Sequence, residues 1–99
     1  MGQIDRTIHE PVRLRVLTLL SGVKEAEFTF IAKVLSLTNG NLSVHVRKLE
    51  EAGYVAVRKE FVGRTPRTTF AMTAAGRAAL RQYWRVLDQM RKSGPAGTH

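Results

Sequence analysis

The chain contains no cysteine, so disulfide staples and thiolate metal sites are excluded at once. Long apolar runs are also missing. Val16 to Leu20 is the longest strongly apolar stretch and it includes a threonine, far short of the roughly 20 residues that a membrane-spanning helix needs. No charged leader followed by an apolar segment opens the chain, so the expected location is the cytoplasm. Histidine is scarce: His9, His45 and His99 lie far apart, without metal-ligand spacing. Ser21 and Ser43 have no base near them in the sequence. The glycines at 22, 40, 53, 63 and 76 each fall at a cap, a turn or a helix entry, unlike a phosphate-binding loop. No enzymatic constellation, metal site or cofactor is called for.

Acidic residues are few, and the imbalance is informative. Sixteen Lys and Arg stand against eight Asp and Glu, for a formal net charge of +8. Residues 1–50 hold seven basic and five acidic side chains, whereas residues 51–99 hold nine and three. A +6 second half is the electrostatic footprint expected for a polyanion, nucleic acid foremost. With 99 residues there is material for one domain and a single modest core.

One stretch organises the remainder: LTNGNLSVHVRKLEEAGYV, Leu37 to Val55. A cap-and-turn cluster (Thr38, Asn39, Gly40, Asn41) opens it. Leu42, Val46 and Leu49 then recur at helical spacing. The opposite face carries Gly40, Val44, Arg47 and Lys48, with Asn41 and Ser43 toward its edge. Short polar side chains permit close approach to a major groove, and Asn, Ser and Arg address base edges and phosphates. Glu50 and Glu51 mark where the cationic face ends, and Gly53 supplies a left-handed stop. Residues 39–52 read as a recognition helix.

Upstream, Ile4 and Ile8, four apart, fit either a short leading helix that packs on a partner or a frayed terminus. EPVRLRVLTLLSG predicts a helix over 10–21, with Pro11 in its first turn and Leu14, Val16, Leu17 and Leu20 as its apolar stripe. EFTFIAKVLSLT predicts a second helix starting near Thr29, which is placed to cap it, with Phe30, Ile31, Val34 and Leu35 buried and a brief strand around Phe28. Two short helices joined by a tight link, the second outwardly polar, form a helix-turn-helix.

After Gly53 the period changes to two. Val55, Val57 and Phe61 fall on one face of a strand, Tyr54, Arg58 and Glu60 on the other, and Lys59 interrupts the apolar face near the tip. Residues 63–67 (GRTPR) read as a loop whose tip presents Arg64 and Arg67, with Phe70 and Met72 turning inward after it. Thr73 caps a last helix, although Gly76 stands where a capping box would have Glu or Gln. Leu80, Tyr83, Trp84, Leu87 and Met90 make a stripe broader than a small core uses, so a second copy of the chain is the expected partner.

Three segments, IHEPVRLRVLTLL, FTFIAKVLSLTNGNLSVHVRKLEEAGYV and GRTPRTTFAMTAAGRAAL, carry a resemblance covering about residues 8–80. They resemble the winged helix-turn-helix bacterial and archaeal regulators related to the multiple-antibiotic-resistance and arsenic-repressor superfamilies, in particular a short winged helix DNA-binding domain group. The resemblance implies a homodimer on double-stranded operator DNA. It implies that Thr38, Asn39, Asn41, Ser43, Val44 and His45 face the groove. Arg47 and Lys48 would meet phosphates, Arg64 and Arg67 would occupy the wing, and terminal helices bearing Ile4, Ile8 and the 80–90 stripe would make the dimer. The cysteine pair and the histidine-carboxylate cluster of metal-sensing relatives are absent from this sequence, and no small-molecule effector is assigned.

The expected fold is α+β, a winged helix-turn-helix with a three-helix core, a β-hairpin wing and a C-terminal dimerisation helix over residues 1–92, then a disordered tail at 93–99. The expected function is sequence-specific binding of double-stranded DNA as a transcriptional regulator. Its rivals are a winged helix serving as a protein–protein module and a nonspecific architectural DNA binder.

Overall fold

Helix α1 (Pro11–Ser21) begins as its sequence dictates, with proline in the first turn and Glu10 as the N-cap, whose carboxylate accepts the Arg13 N–H at 2.7 Å. Val16, Leu17 and Leu20 are wholly buried along one side. The computed structural model describes residues 3–93, so the tail from 94 onward, with His99, lies outside the described residues. The order after α1 is β1 (Ala26–Glu27), α2 (Phe28–Leu35), α3 (Asn39–Glu51), β2 (Val55–Val62), β3 (Thr65–Met72) and α4 (Ala74–Lys92). The three strands form an antiparallel sheet in the order β1-β3-β2, Ala26 lying opposite Phe70 and Val55 opposite Met72. This is the α+β winged helix expected, with four helices and a hairpin around one core.

Three local expectations are corrected. The segment before α1 is a single turn rather than a helix: the Asp5 carbonyl accepts the His9 N–H at 2.8 Å, and the Asp5 carboxylate accepts the Thr7 N–H at 2.9 Å. Helix α2 starts at Phe28, after β1, and Thr29 does not cap it; Glu27 holds the N-cap position without a side-chain bond. Its buried residues are Ile31, Ala32 and Leu35, whereas Phe30 and Val34 are 52% and 51% exposed. An eight-residue helix that is apolar nearly all round does not reveal which stripe its neighbours will cover.

The third correction is at the hairpin. Its loop is two residues long, Gly63-Arg64, because Val62 already pairs with Thr65. Gly63 has φ +65° and Arg64 a negative φ, the pattern of a type II′ turn. Thr65, Pro66 and Arg67 therefore belong to β3. Pro66 fits there because β1 pairs only as far as Thr69, so β3 is an open edge on that side and no ladder bond is lost.

Helix α4 starts where expected, the Thr73 hydroxyl accepting the Gly76 N–H at 2.9 Å. Gly76, Leu80, Tyr83 and Val86 are buried in the chain's own core, as is Ile8. Of the seven residues expected at a dimer surface, Ile8, Leu80 and Tyr83 are thus already covered within one chain. The turn that carries Ile8 lies against α4, with His9 Nδ1 2.9 Å from the Tyr83 hydroxyl. Ile4 and Leu87 stay partly buried, and Trp84 and Met90 are exposed.

Candidate nucleic-acid interface

Helices α2 and α3 end in the same way. Ser36 adopts the left-handed conformation at φ +56°, and the Leu37 N–H donates back to the Ala32 carbonyl at 2.8 Å. At the far end of α3, Gly53 has φ +81° and the Tyr54 N–H donates to the Leu49 carbonyl at 2.9 Å. Both are Schellman closures, which satisfy terminal carbonyls and turn the chain sharply. Thr38 begins α3, its hydroxyl accepting the Asn41 N–H at 3.1 Å. Thr38 is thereby the N-cap of α3.

Leu42, Val46 and Leu49 anchor α3 in the core. Asn39, Gly40, Asn41, Ser43, Val44, Arg47 and Lys48 are exposed, so the outward face is the one read from the sequence. Arg47 and Lys48 form no ion pair among the described residues, even with Glu50 and Glu51 on the same helix. His45 is corrected. It is half-buried, with its Nδ1 3.2 Å from the Arg13 guanidinium and 3.6 Å from the Glu10 carboxylate. Position 45 lies three residues from buried Leu42 and so turns toward α1 instead of the groove face. Because the guanidinium only donates, Nδ1 is the acceptor in that contact.

The hairpin has two unlike faces. One looks toward α3 and carries Val55, Val57, Lys59 and Phe61 on β2, with a groove of about 330 Å³ between it and the helix, lined by Ser43, Arg47, Glu50, Lys59 and Thr68 among others. The other carries Arg58, which meets Glu25 at 2.9 Å and Glu60 at 3.7 Å, and Arg67, which meets Glu27 at 3.4 Å. Arg67 is therefore neither at the wing tip nor on the α3 side; Arg64 alone occupies the turn. Sequence reasoning took Lys59 for a break in the apolar face. The register instead makes it the hairpin cation beside α3, and the alternation that put it on the same face as Val57 was the available signal. Phe61, on the same face, is 73% exposed because that face has run past the core.

Arrayed this way, α3 and the adjacent wing strip offer Arg47, Lys48, Lys59 and Arg64 to an anion, while most nearby carboxylates are engaged on the opposite side. No group of His, Asp and Glu among the described residues has the arrangement of a metal site. No described helix is long and apolar enough to cross a membrane.

Comparison with known proteins agrees with this geometry. The family described as winged helix DNA-binding domain matches residues 12–90. An uncharacterised protein of Methanocaldococcus jannaschii is 37% identical over 82 residues, covering 83% of this chain and 89% of its own length. A transcriptional regulator homologue of Pyrococcus horikoshii superposes with a TM-score of 0.83 at 34% identity, over 90% of this chain and 88% of its own. PadR of Bacillus subtilis, solved in complex with operator DNA, shares the fold at a TM-score of 0.68 and 15% identity, over 77% of this chain and 46% of its own.

Proposed function

Because the chain belongs to the winged helix DNA-binding domain family of non-enzymatic regulators, we propose that it acts in the cytoplasm as a homodimeric transcriptional regulator that binds a specific double-stranded DNA site. Helix α3 enters the major groove, and the wing around Gly63-Arg64 meets the flanking minor groove. The observation that carries this reading is the outward face of α3. Its first two turns present exposed Asn39, Asn41, Ser43 and Val44 for base edges, and the following turn presents Arg47 and Lys48, which make no ion pair. Val44 suits a thymine methyl, and the amides suit adenine.

Dimerisation rests on α4. Trp84 and Met90 are 46% and 42% exposed, and Met90 lies two turns beyond Tyr83 on nearly the same side, where the chain's own core has ended. A second copy covers this overhang most simply, with Leu87 and Ile4 at its margin.

Selection of bound sites from a random duplex library tests the reading. The expected result is one preferred sequence with two related half-sites about 10 base pairs apart. Asn41→Ala should then weaken the preferred site by roughly 1–3 kcal/mol and relax preference at one base position. Binding without preference would identify an architectural DNA binder, and no binding to any duplex would favour a protein–protein module.

A further inference from the structure

On the hairpin face that looks toward α3, cross-strand pairs step outward from the core: Val55 with Met72, Val57 with Phe70, Lys59 with Thr68, Phe61 with Pro66. The first pair is buried, and the third lines the groove shared with Ser43 and Arg47. The fourth ends in solvent. Phe61 is the most exposed large hydrophobic side chain among the described residues. Val62 and Thr65 flank a two-residue turn and so form a hydrogen-bonded pair, which makes Phe61 and Pro66 a non-hydrogen-bonded pair, the kind whose side chains lie closer. The rigid pyrrolidine thus backs the ring and limits the entropy lost when it is engaged.

The ring lies outside the core of this chain, and an exposed phenylalanine on a hairpin tip is a liability unless something covers it. The charges around it select the occupant. Lys59 stands one pair inward on the same face, Arg64 is in the turn, and Arg47 faces Lys59 across the groove; none of the three forms an ion pair among the described residues. Carboxylates Glu25, Glu27 and Glu60 hold the basic residues of the opposite face. An apolar ring framed by unpaired cations suits a polyanion with apolar walls, as the minor groove of a duplex has. A purely apolar protein surface would leave those cations without partners.

We infer that Phe61, backed by Pro66, is an apolar wedge that enters the minor groove and partly unstacks a base step beside the sequence held by α3. The wing then reads deformability as well as charge, favouring a flexible pyrimidine–purine step at that point. This rests on the DNA-binding reading above and adds to it a specificity-determining residue that carries no charge.

The test uses the full chain and its selected duplex, with 2-aminopurine, whose fluorescence rises on unstacking, substituted at successive flanking positions. Wild type should raise the signal at one step per half-site. Phe61→Ala should abolish the rise and weaken binding roughly ten- to hundredfold. Its unfolding midpoint and its salt dependence should not change, because neither core nor charge is lost. Phe61→Trp should restore both signal and affinity. A wild-type chain that binds its site without any rise, or a Phe61→Ala variant that binds as wild type does, overturns the wedge alone. A Phe61→Ala change in the sedimenting mass of the free protein assigns the ring to a second copy and overturns it too. If wild type retains no duplex, the parent reading falls and the wedge falls with it.

Discussion

The carbonyl oxygen of Tyr54 sits against the α-carbon of Gly76, so closely that a Cβ on residue 76 would overlap it. The same carbonyl accepts the Thr73 N–H at 3.1 Å, and the Thr73 hydroxyl donates to the Gly53 carbonyl at 2.6 Å. The first turn of α4 is thereby docked on the exit from α3. Whatever α4 joins, its position is coupled to that of α3 through backbone contacts that leave little play.

Gly76→Ala should consequently destabilise the fold by about 1–3 kcal/mol, as overpacking against immobile backbone does. Gly40→Ala is the contrasting case. It lies in the first turn of α3, nothing is within 4 Å of its added carbon, and the sign should reverse, with a gain of up to about 1 kcal/mol. Urea unfolding of the two variants against wild type checks both signs. Equal effects would mean that the close approach at Gly76 does not constrain the fold.

Ser36 is the one non-glycine residue with positive φ among the described residues, at +56°. A left-handed residue bearing a Cβ costs about 1–2 kcal/mol, and the extra unfolded-state freedom of glycine takes back about 0.5–1. Ser36→Gly should therefore stabilise by roughly 0.5–1 kcal/mol with an unchanged denaturant slope. A loss of stability would point to a role for the serine side chain that its geometry does not show.

The dimer surface proposed above is tested at Trp84 and Met90, since substituting Leu87 would also disturb the core it packs against. Wild type should sediment as a dimer at micromolar concentration, and Trp84→Glu with Met90→Glu should sediment as a folded monomer. A monomeric wild type, or a dimer untouched by both charges, would remove α4 from the interface.

Arg64 and Arg67, equivalent in the sequence, should behave differently on DNA. Arg64 occupies the turn, so Arg64→Ala in a symmetric dimer removes two phosphate contacts and should lower the slope of log affinity against log salt by roughly two. Arg67 pairs with Glu27 on the other face, and Arg67→Ala should leave the slope nearly unchanged. Matching effects from the two substitutions would contradict the two-faced wing.

The Tyr54 hydroxyl donates to the Asp5 carboxylate at 2.5 Å, tying the turn before α1 to the end of α3. That hydrogen bond, then burial and the carboxylate charge, push the phenol up from its ordinary 10.0 to about 12. A raised phenol pKa means that the folded state holds the proton more tightly. The stability from this contact is complete below pH 10 and is lost as pH rises toward 12. Tyr54→Phe should be less stable than wild type at pH 8, and the gap should close between pH 10 and 12, as followed by thermal unfolding over that range. A gap independent of pH would show that the contact contributes packing alone.

The features legible in the sequence are those set by neighbours within four or five residues. Pro11 in a first turn, Thr38 and Thr73 as N-caps, Gly53 as a left-handed stop and the Leu42-Val46-Leu49 stripe each follow from local sterics and short-range hydrogen bonds, so α1, α3, the start of α4 and the outward face of α3 could be placed by inspection. Which of two available faces gets covered was decided elsewhere. Phe30 and Val34 are as apolar as Ile31 and Leu35, and only the positions of α1, α3 and the sheet make one pair core and the other surface. Alternation along β2 puts Lys59 on the face of Val57, but whether Arg67 stands in the loop or on the opposite face depends on the register; the two-residue turn settled that by drawing Thr65 to Arg67 into the strand. Ile8, Leu80 and Tyr83 likewise lie in the chain's own core, the turn that carries Ile8 meeting α4 through His9 and Tyr83. Local order follows from the residue and its near neighbours, whereas burial depends on which distant surface arrives to exclude the water.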